Sequence, residues 1–244
     1  MKKPEMIIFD YGHTLLYEPN HSTSAGNAAI YQYIAKNPNN VSLEEFDRTC
    51  TETFAQIRTM RGGLEIHEFA VLKTFYELMG IELSVSLPEA ERIIWEGISI
   101  GAAMPQVKEM LAFLREQGIR TGVISNICFS GNAMKERLKR ILPEHEFEFV
   151  LTSSEYAFKK PHPAMFRIAL QKAGLTADQV WYCGDDFEAD VMGAHGVGIF
   201  PVLYECRDLE LYNPVVNERP ECDFEYLHIH KWDEMMDVLR GCLK

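Results

Sequence analysis

Residues Met6 to Leu16 read Met-Ile-Ile-Phe-Asp-Tyr-Gly-His-Thr-Leu-Leu, and the order in which apolar and polar side chains arrive there decides the fold. Met6 to Phe9 are apolar without a polar alternate, which predicts a strand buried on both faces, as in a parallel sheet covered by helices. The run stops at Asp10. In open parallel sheets ligands bind beyond the carboxyl ends of the strands, so Asp10 stands where a nucleophile or a metal ligand belongs. Gly12 suits a sharp turn or a close backbone approach to a ligand, and the Thr14 hydroxyl is placed to hold that turn or an Asp oxygen.

Outward from this stretch, 244 residues of which 47% are apolar can form one sizeable core and a smaller second lobe. Met-Lys-Lys-Pro-Glu and four apolar residues precede Asp10, which fits neither a secretory signal nor a membrane span, and a cytoplasmic protein is expected. Six cysteines without a C-x-x-C pair indicate neither a disulfide framework nor a zinc site. Acidic residues outnumber basic ones by 36 to 24, a net charge of −12, with no basic block interleaved with aromatics, so neither nucleic acid nor membrane is an expected partner. An anionic ligand would have to be drawn by a bound cation and a few local positive side chains, against the overall field.

From about Asn20 to about Ala103 the pattern is helical throughout: Ser24 to Lys36, a helix starting at the Ser42-Leu43-Glu44-Glu45 box, Glu65 to Met79 stopped by Gly80, and a last helix opened by Ser86 and Pro88. Trp95, Phe54, Phe69 and Phe75 fall at helical spacings and read as the apolar interior of this bundle. From Met104 onward helices and strands alternate, with strands at 120–124, 149–152, 180–183, 199–203 and 226–229, a helix from Phe187 to Ala194 and a polar loop over 205–223. This rhythm predicts an α/β fold, a doubly wound, Rossmann-like parallel sheet over residues 1–19 and 101–244, with residues 20–100 inserted after the first strand as a helical-bundle cap.

Four polar clusters each follow a predicted strand and so share one sheet edge: Asp10, Ser125-Asn126, Lys160, and Asp185-Asp186. Two carboxylates there can hold Mg²⁺, with a lysine and a hydroxyl to position an anion. Asp10-Tyr11-Gly12-His13-Thr14, then Ser125, then Lys160-Pro161, then Gly184-Asp185-Asp186 with Asp190, resembles the four motifs of the haloacid dehalogenase-like hydrolases, in order along nearly the whole chain. The resemblance implies phosphoryl transfer from a small phosphorylated metabolite. Asp10 would attack phosphorus to form an aspartyl-phosphate, and Mg²⁺ would be held by Asp10, the Gly12 carbonyl and Asp185. Ser125 would bind a phosphoryl oxygen, Asn126 and Thr14 would contribute to substrate binding, Lys160 would offset charge, and Asp190 and Asp186 would support the site, Asp186 chiefly as a helix cap.

The chain departs from that pattern at Gly12, where phosphatases of the family usually carry a second Asp that serves as acid and base. His13 is the candidate for the missing proton transfer, since an imidazole titrates near neutrality. Two other readings stay open: a phosphate-ligand binding or regulatory protein without turnover, and a 2-haloacid dehalogenase. Retained Asp185 argues against the latter, because those enzymes work without metal and carry Tyr where Gly12 stands. Arg58 and Arg61 with Gly62-Gly63 are candidates for a substrate's remote group, His162 reads as a helix start, and His228 and His230 share one face of a strand without forming a metal-spaced pair.

Overall fold

The computed structural model describes residues 2–209 and 222–242. Strand β1 (Met6–Phe9) is wholly buried: Ile7 and Phe9 enter one hydrophobic cluster and Met6 and Ile8 another, on opposite faces, as the two-residue period of a strand requires. A short strand β2 (Leu16–Tyr17) leads the chain away into α1 (Thr23–Tyr31), β3 (Ile34–Lys36), α2 (Leu43–Met60), α3 (Glu68–Met79), β4 (Glu82–Leu83) and α4 (Leu87–Ile98), and β5 (Ala102–Ala103) brings it back. Pairing of β2 with β5, Leu16 opposite Ala103 and Tyr17 opposite Ala102, sets the outgoing and returning chain side by side.

The inserted segment is not purely helical, contrary to the sequence expectation. The first helix ends at Tyr31 instead of running to Lys36, and residues 34–36 pair antiparallel with β4. Gly80, in the left-handed conformation at φ 68°, stops α3 and turns the chain back, and Ser84 then binds the Tyr33 carbonyl through both its N–H and its hydroxyl. Strands of two or three residues are too short for a visible alternation. The α1 to α4 helices share a hydrophobic cluster that includes Ile30, Phe46, Val71, Phe75 and Ile94.

The rest of the chain runs α5 (Val107–Glu116), β6 (Arg120–Ser125), α6 (Gly131–Ile141), β7 (Val150–Thr152), α7 (Ser153–Tyr156), α8 (Pro163–Ala173), β8 (Val180–Gly184), α9 (Gly193–His195), β9 (Phe200–Tyr204), β10 (Leu227–Ile229) and α10 (Trp232–Cys242). Six strands form one sheet in the order β10-β9-β8-β1-β6-β7, parallel at every pairing. Apolar faces of α5, α6 and α10 cover one side, and those of α8 and α9 the other. The helix expected over Phe187 to Ala194 is a π-helical turn, Phe187–Met192, followed by α9, and the short helix α7 follows β7 directly. Of the loop expected over 205–223, residues 210–221 lie outside the described residues.

Helix α4 docks on this sheet domain through Trp95, which stacks on Phe129 at 4.3 Å, donates its indole N–H to Glu18 at 2.7 Å and lies 4.5 Å below the Arg137 guanidinium. Beside it, buried Glu91 accepts from the Ser130 N–H and hydroxyl at 2.7 and 2.6 Å. Glu65 and Glu68 are buried nearby, the former accepting from Arg61 and Ser153. Burial pushes the Glu68 carboxyl up to about 7, opposed by a hydrogen bond from Cys128 and reinforced by the Glu91 and Glu65 carboxylates. The folded chain therefore keeps this proton up to about pH 7, whereas an unfolded chain releases it near 4.5. In that window the native state binds more protons, so stability falls as pH rises. Glu68→Gln is expected to flatten this part of the profile and to stabilise the protein most on the alkaline side, as read from urea denaturation on either side of the window.

Candidate active site

The sheet register gathers the site. Phe9 lies opposite Val123 of β6 and Cys183 of β8, and the Asp10 N–H donates to the Cys183 carbonyl at 2.8 Å. Asp10, Ser125 and Asp185 therefore leave three adjacent strands at one edge. They line a cavity of about 550 Å³, in the range of small-ligand pockets, together with Gly12, His13, Asn126 and Lys160.

At its floor the Lys160 ammonium, 4% exposed, has a partner for each of its three N–H donors: Asp10 Oδ1 and Asp190 Oδ1, both at 2.6 Å, and the Tyr182 hydroxyl at 2.7 Å. Burial by itself would lower the Lys160 pKa, but the Asp10 and Asp190 carboxylates outweigh it and hold the ammonium above its ordinary value. Burial pushes the Asp10 carboxyl up to about 6, with Lys160 pulling the other way. Asn126 fixes the backbone of Lys160 from both sides, donating to its carbonyl at 2.9 Å and accepting from its N–H at 2.7 Å. The peptide bond that follows, Lys160-Pro161, is cis.

Asp190 reaches the lysine because the chain winds as a π-turn: the Asp190 and Val191 N–H groups both donate to the Asp186 carbonyl. Its second oxygen accepts from the Asp186 N–H at 3.0 Å. A side chain at position 184 would land on the Asp190 carboxylate, so a glycine before Asp185 is a packing requirement.

Several candidate residues land where the sequence reading put them, and others do not. Asp186 caps the π-turn by accepting from the Ala189 N–H at 2.8 Å, and Asp190 is buried against Lys160. Both polar ends of the Asn126 amide are taken up by the Lys160 backbone, so its side chain braces the lysine where substrate contact was expected. Thr14 is fully buried, and its hydroxyl has no hydrogen-bond partner among the described residues and lies away from the cavity lining. A substrate-binding role for Thr14 therefore does not fit. Arg61 is paired with Glu65, whereas Gly62 and Gly63 line a neighbouring opening beside Lys160. Tyr182 was missed: a hydroxyl-bearing side chain inside an otherwise apolar strand, one turn of the alternation before Gly184, was the available signal.

His13 stands at the cavity wall in a left-handed conformation, φ 52°, which histidine adopts more readily than most non-glycine residues. Desolvation lowers its pKa, partly offset by Glu18. At Gly12 an added Cβ would meet only Asp10 Oδ2, at 4.0 Å, so there is room for a side chain there.

Asp10, Asp185 and Asp190 each bring an oxygen within 4.8 Å of the other two. Three carboxylates against one ammonium leave a local excess of negative charge, and an all-oxygen donor set of this kind suits a hard cation such as Mg²⁺.

The chain is 31% identical to the glyceraldehyde 3-phosphate phosphatase of Pyrococcus furiosus over 209 residues, which cover 84% of this chain and 82% of the relative. It is 27% identical to the ribulose-1,5-bisphosphate 5-phosphatase of Halopiger xanaduensis over 207 residues, 82% of this chain and 84% of the relative. Among solved structures, a HAD phosphatase from Thermococcus onnurineus shares the fold with a TM-score of 0.62 at 20% identity, covering 99% of both chains. A 2-haloacid dehalogenase from Pseudomonas syringae shares it at a TM-score of 0.59 and 19% identity, again over 99% of both. The sequence matches the family described as haloacid dehalogenase-like hydrolase from residue 7 to residue 203, most of its length, and the protein belongs to that family.

Proposed function

We propose that the protein is a Mg²⁺-dependent phosphoric monoester hydrolase of the cytoplasm, acting on a small phosphorylated metabolite, with residues 20–100 serving as a cap over the site. The observation that carries this reading is the Asp10 carboxylate, held by the buried Lys160 at the floor of a cavity among Asp185, Asp190 and Ser125. The phosphatase names of the relatives aligned over most of their length favour this over dehalogenation.

Asp10 Oδ1 is restrained by Lys160, which orients the carboxylate and favours its ionised form. An Asp10 oxygen attacks phosphorus, the bond from phosphorus to the ester oxygen breaks, and the departing alkoxide takes a proton. Water then attacks the phosphorus of the aspartyl-phosphate, gives up a proton, and inorganic phosphate leaves with Asp10 regenerated. Ser125, at the end of β6, is placed to donate to a phosphoryl oxygen. Mg²⁺ held by Asp10, the Gly12 carbonyl and Asp185 would offset the negative charge of the phosphoryl group.

With glycine at position 12, the adjacent His13, at the cavity wall, is assigned the two proton transfers. A positioned acid and base accelerates such steps by roughly 10²–10⁴-fold.

The test is phosphate release from a panel of sugar phosphates and an acyl phosphate, with and without Mg²⁺. Turnover is expected to require Mg²⁺ and to vanish in Asp10→Asn. His13→Ala is expected to slow alkyl phosphates more than the acyl phosphate, whose leaving group needs less protonation. Phosphate binding without turnover of any substrate would favour a ligand-binding role instead. Because the space at position 12 is open, Gly12→Asp is expected to fold normally and to raise kcat for alkyl phosphates by about tenfold or more, toward the full contribution of a placed acid and base.

A further inference from the structure

The chain leaves the sheet at Glu205, directly after β9, and comes back along β10, where His228 lies opposite Leu203 and Ile229 opposite Tyr204. The Glu205 N–H donates to the Ile229 carbonyl at 2.9 Å, which carries the pairing one residue past the end of β9. His228 and His230 are two apart on an extended chain and so share a face, with ring centroids 4.5 Å apart. The Glu205 carboxylate joins them: its Oε2 is 2.8 Å from His228 Nε2. One ligating atom from each of the three residues lies within 4.8 Å of the other two. The sequence places the two histidines on one face but shows no metal-spaced set, because the third donor comes from the residue after β9, 23 positions from His228.

We propose that Glu205, His228 and His230 form a second metal site, selective for Zn²⁺ or a similar first-row transition ion, which pins β10 to the end of β9. Two imidazoles and one carboxylate are a recurrent three-residue Zn²⁺ donor set, with a fourth position left for water. The tautomer of His230 suits the task. Its Nδ1 lies 3.1 Å from the Glu205 carbonyl oxygen, which only accepts, so Nδ1 carries a hydrogen and, in the neutral ring, Nε2 offers its lone pair. A ligating histidine is oriented in the same way when its other ring nitrogen donates to a backbone carbonyl. With side chains 30% and 22% exposed, His228 and Glu205 are shielded yet reachable from solvent. The donors also differ from those at the cavity floor, where three carboxylates favour a hard cation, so the two sites sort metals by ligand softness. An ordinary surface ion pair would need Glu205 and one histidine; the second imidazole on the same face, with its Nδ1 engaged, is what a metal site requires and an ion pair does not.

The experiment uses the full-length chain without a histidine tag, in saturating Mg²⁺ to occupy the acidic cluster. Co²⁺ is titrated in and followed by its visible absorption, Zn²⁺ is then used to displace it, and thermal unfolding is recorded at each stage. One equivalent of Co²⁺ with the spectrum of a four- or five-coordinate nitrogen-ligated ion is expected, displaced by Zn²⁺ with a rise in Tm. His230→Asn and Glu205→Gln, the latter keeping a hydrogen bond to His228, are expected to weaken Co²⁺ binding by at least about tenfold while leaving the far-ultraviolet circular dichroism spectrum unchanged. Asp185→Asn is expected to leave the Co²⁺ spectrum intact. No nitrogen-ligated spectrum in the native protein, or a spectrum unaffected by His230→Asn and Glu205→Gln, would overturn the proposal. So would a spectrum lost in Asp185→Asn.

Discussion

The buried ammonium of Lys160 is the constraint on which the rest of the site depends. An unpaired charge so deep would be strongly unfavourable, and removing one partner from a buried ion pair typically costs about 3–5 kcal/mol. Three acceptors meet its three donors, and each is delivered by a different part of the fold: Asp10 by β1, Tyr182 by β8, and Asp190 by the π-turn that follows β8. Gly184 must be small because the Asp190 carboxylate occupies the space beside it, and Asn126 must reach across from β6 to fix the lysine's backbone. The lysine thus couples β1, β6, β8 and the turn after β8. A displacement of any one of them leaves a polar group unsatisfied in a low-dielectric setting.

Electrostatics of the whole chain and of the site work against each other. A net charge of −12 repels an anionic ligand, while the cavity concentrates three carboxylates around a single ammonium. A divalent cation at the carboxylates would cancel this local excess. The proton-transfer arrangement proposed above is also unusual in placement: position 12 is bare, and the adjacent imidazole sits on a left-handed residue. That backbone state costs roughly 1–2 kcal/mol for most side chains and aims His13 differently from a side chain at position 12.

Much of this architecture was legible in the sequence. Unbroken apolar runs at Met6 to Phe9 and Val180 to Cys183 read directly as doubly covered strands, and polar residues directly after them placed Asp10, Ser125 and Asp185 at one edge. Short strands escaped notice because the ribbons at 16–17 with 102–103 and at 34–36 with 82–83 are held by contacts between distant segments, and so few residues show no period. Thr14 was misread for a related reason. Its proximity to Asp10 in the chain says nothing about which way its hydroxyl points, and it is buried away from the cavity. Tyr182 meets Lys160 across 22 residues and Glu205 meets His228 across 23, a range at which no local pattern survives.

The β2 and β5 ribbon has a consequence for how such a chain can change over generations. Because Leu16 lies opposite Ala103, everything between them is a ring whose two ends are already joined at the sheet domain. The entropy of closing a flexible ring grows only logarithmically, by about 0.6 kcal/mol for each doubling of its length. Lengthening, shortening or exchanging the intervening helices therefore makes little demand on the sheet. The inserted helices can diversify while the buried charge network of the sheet domain stays as it is.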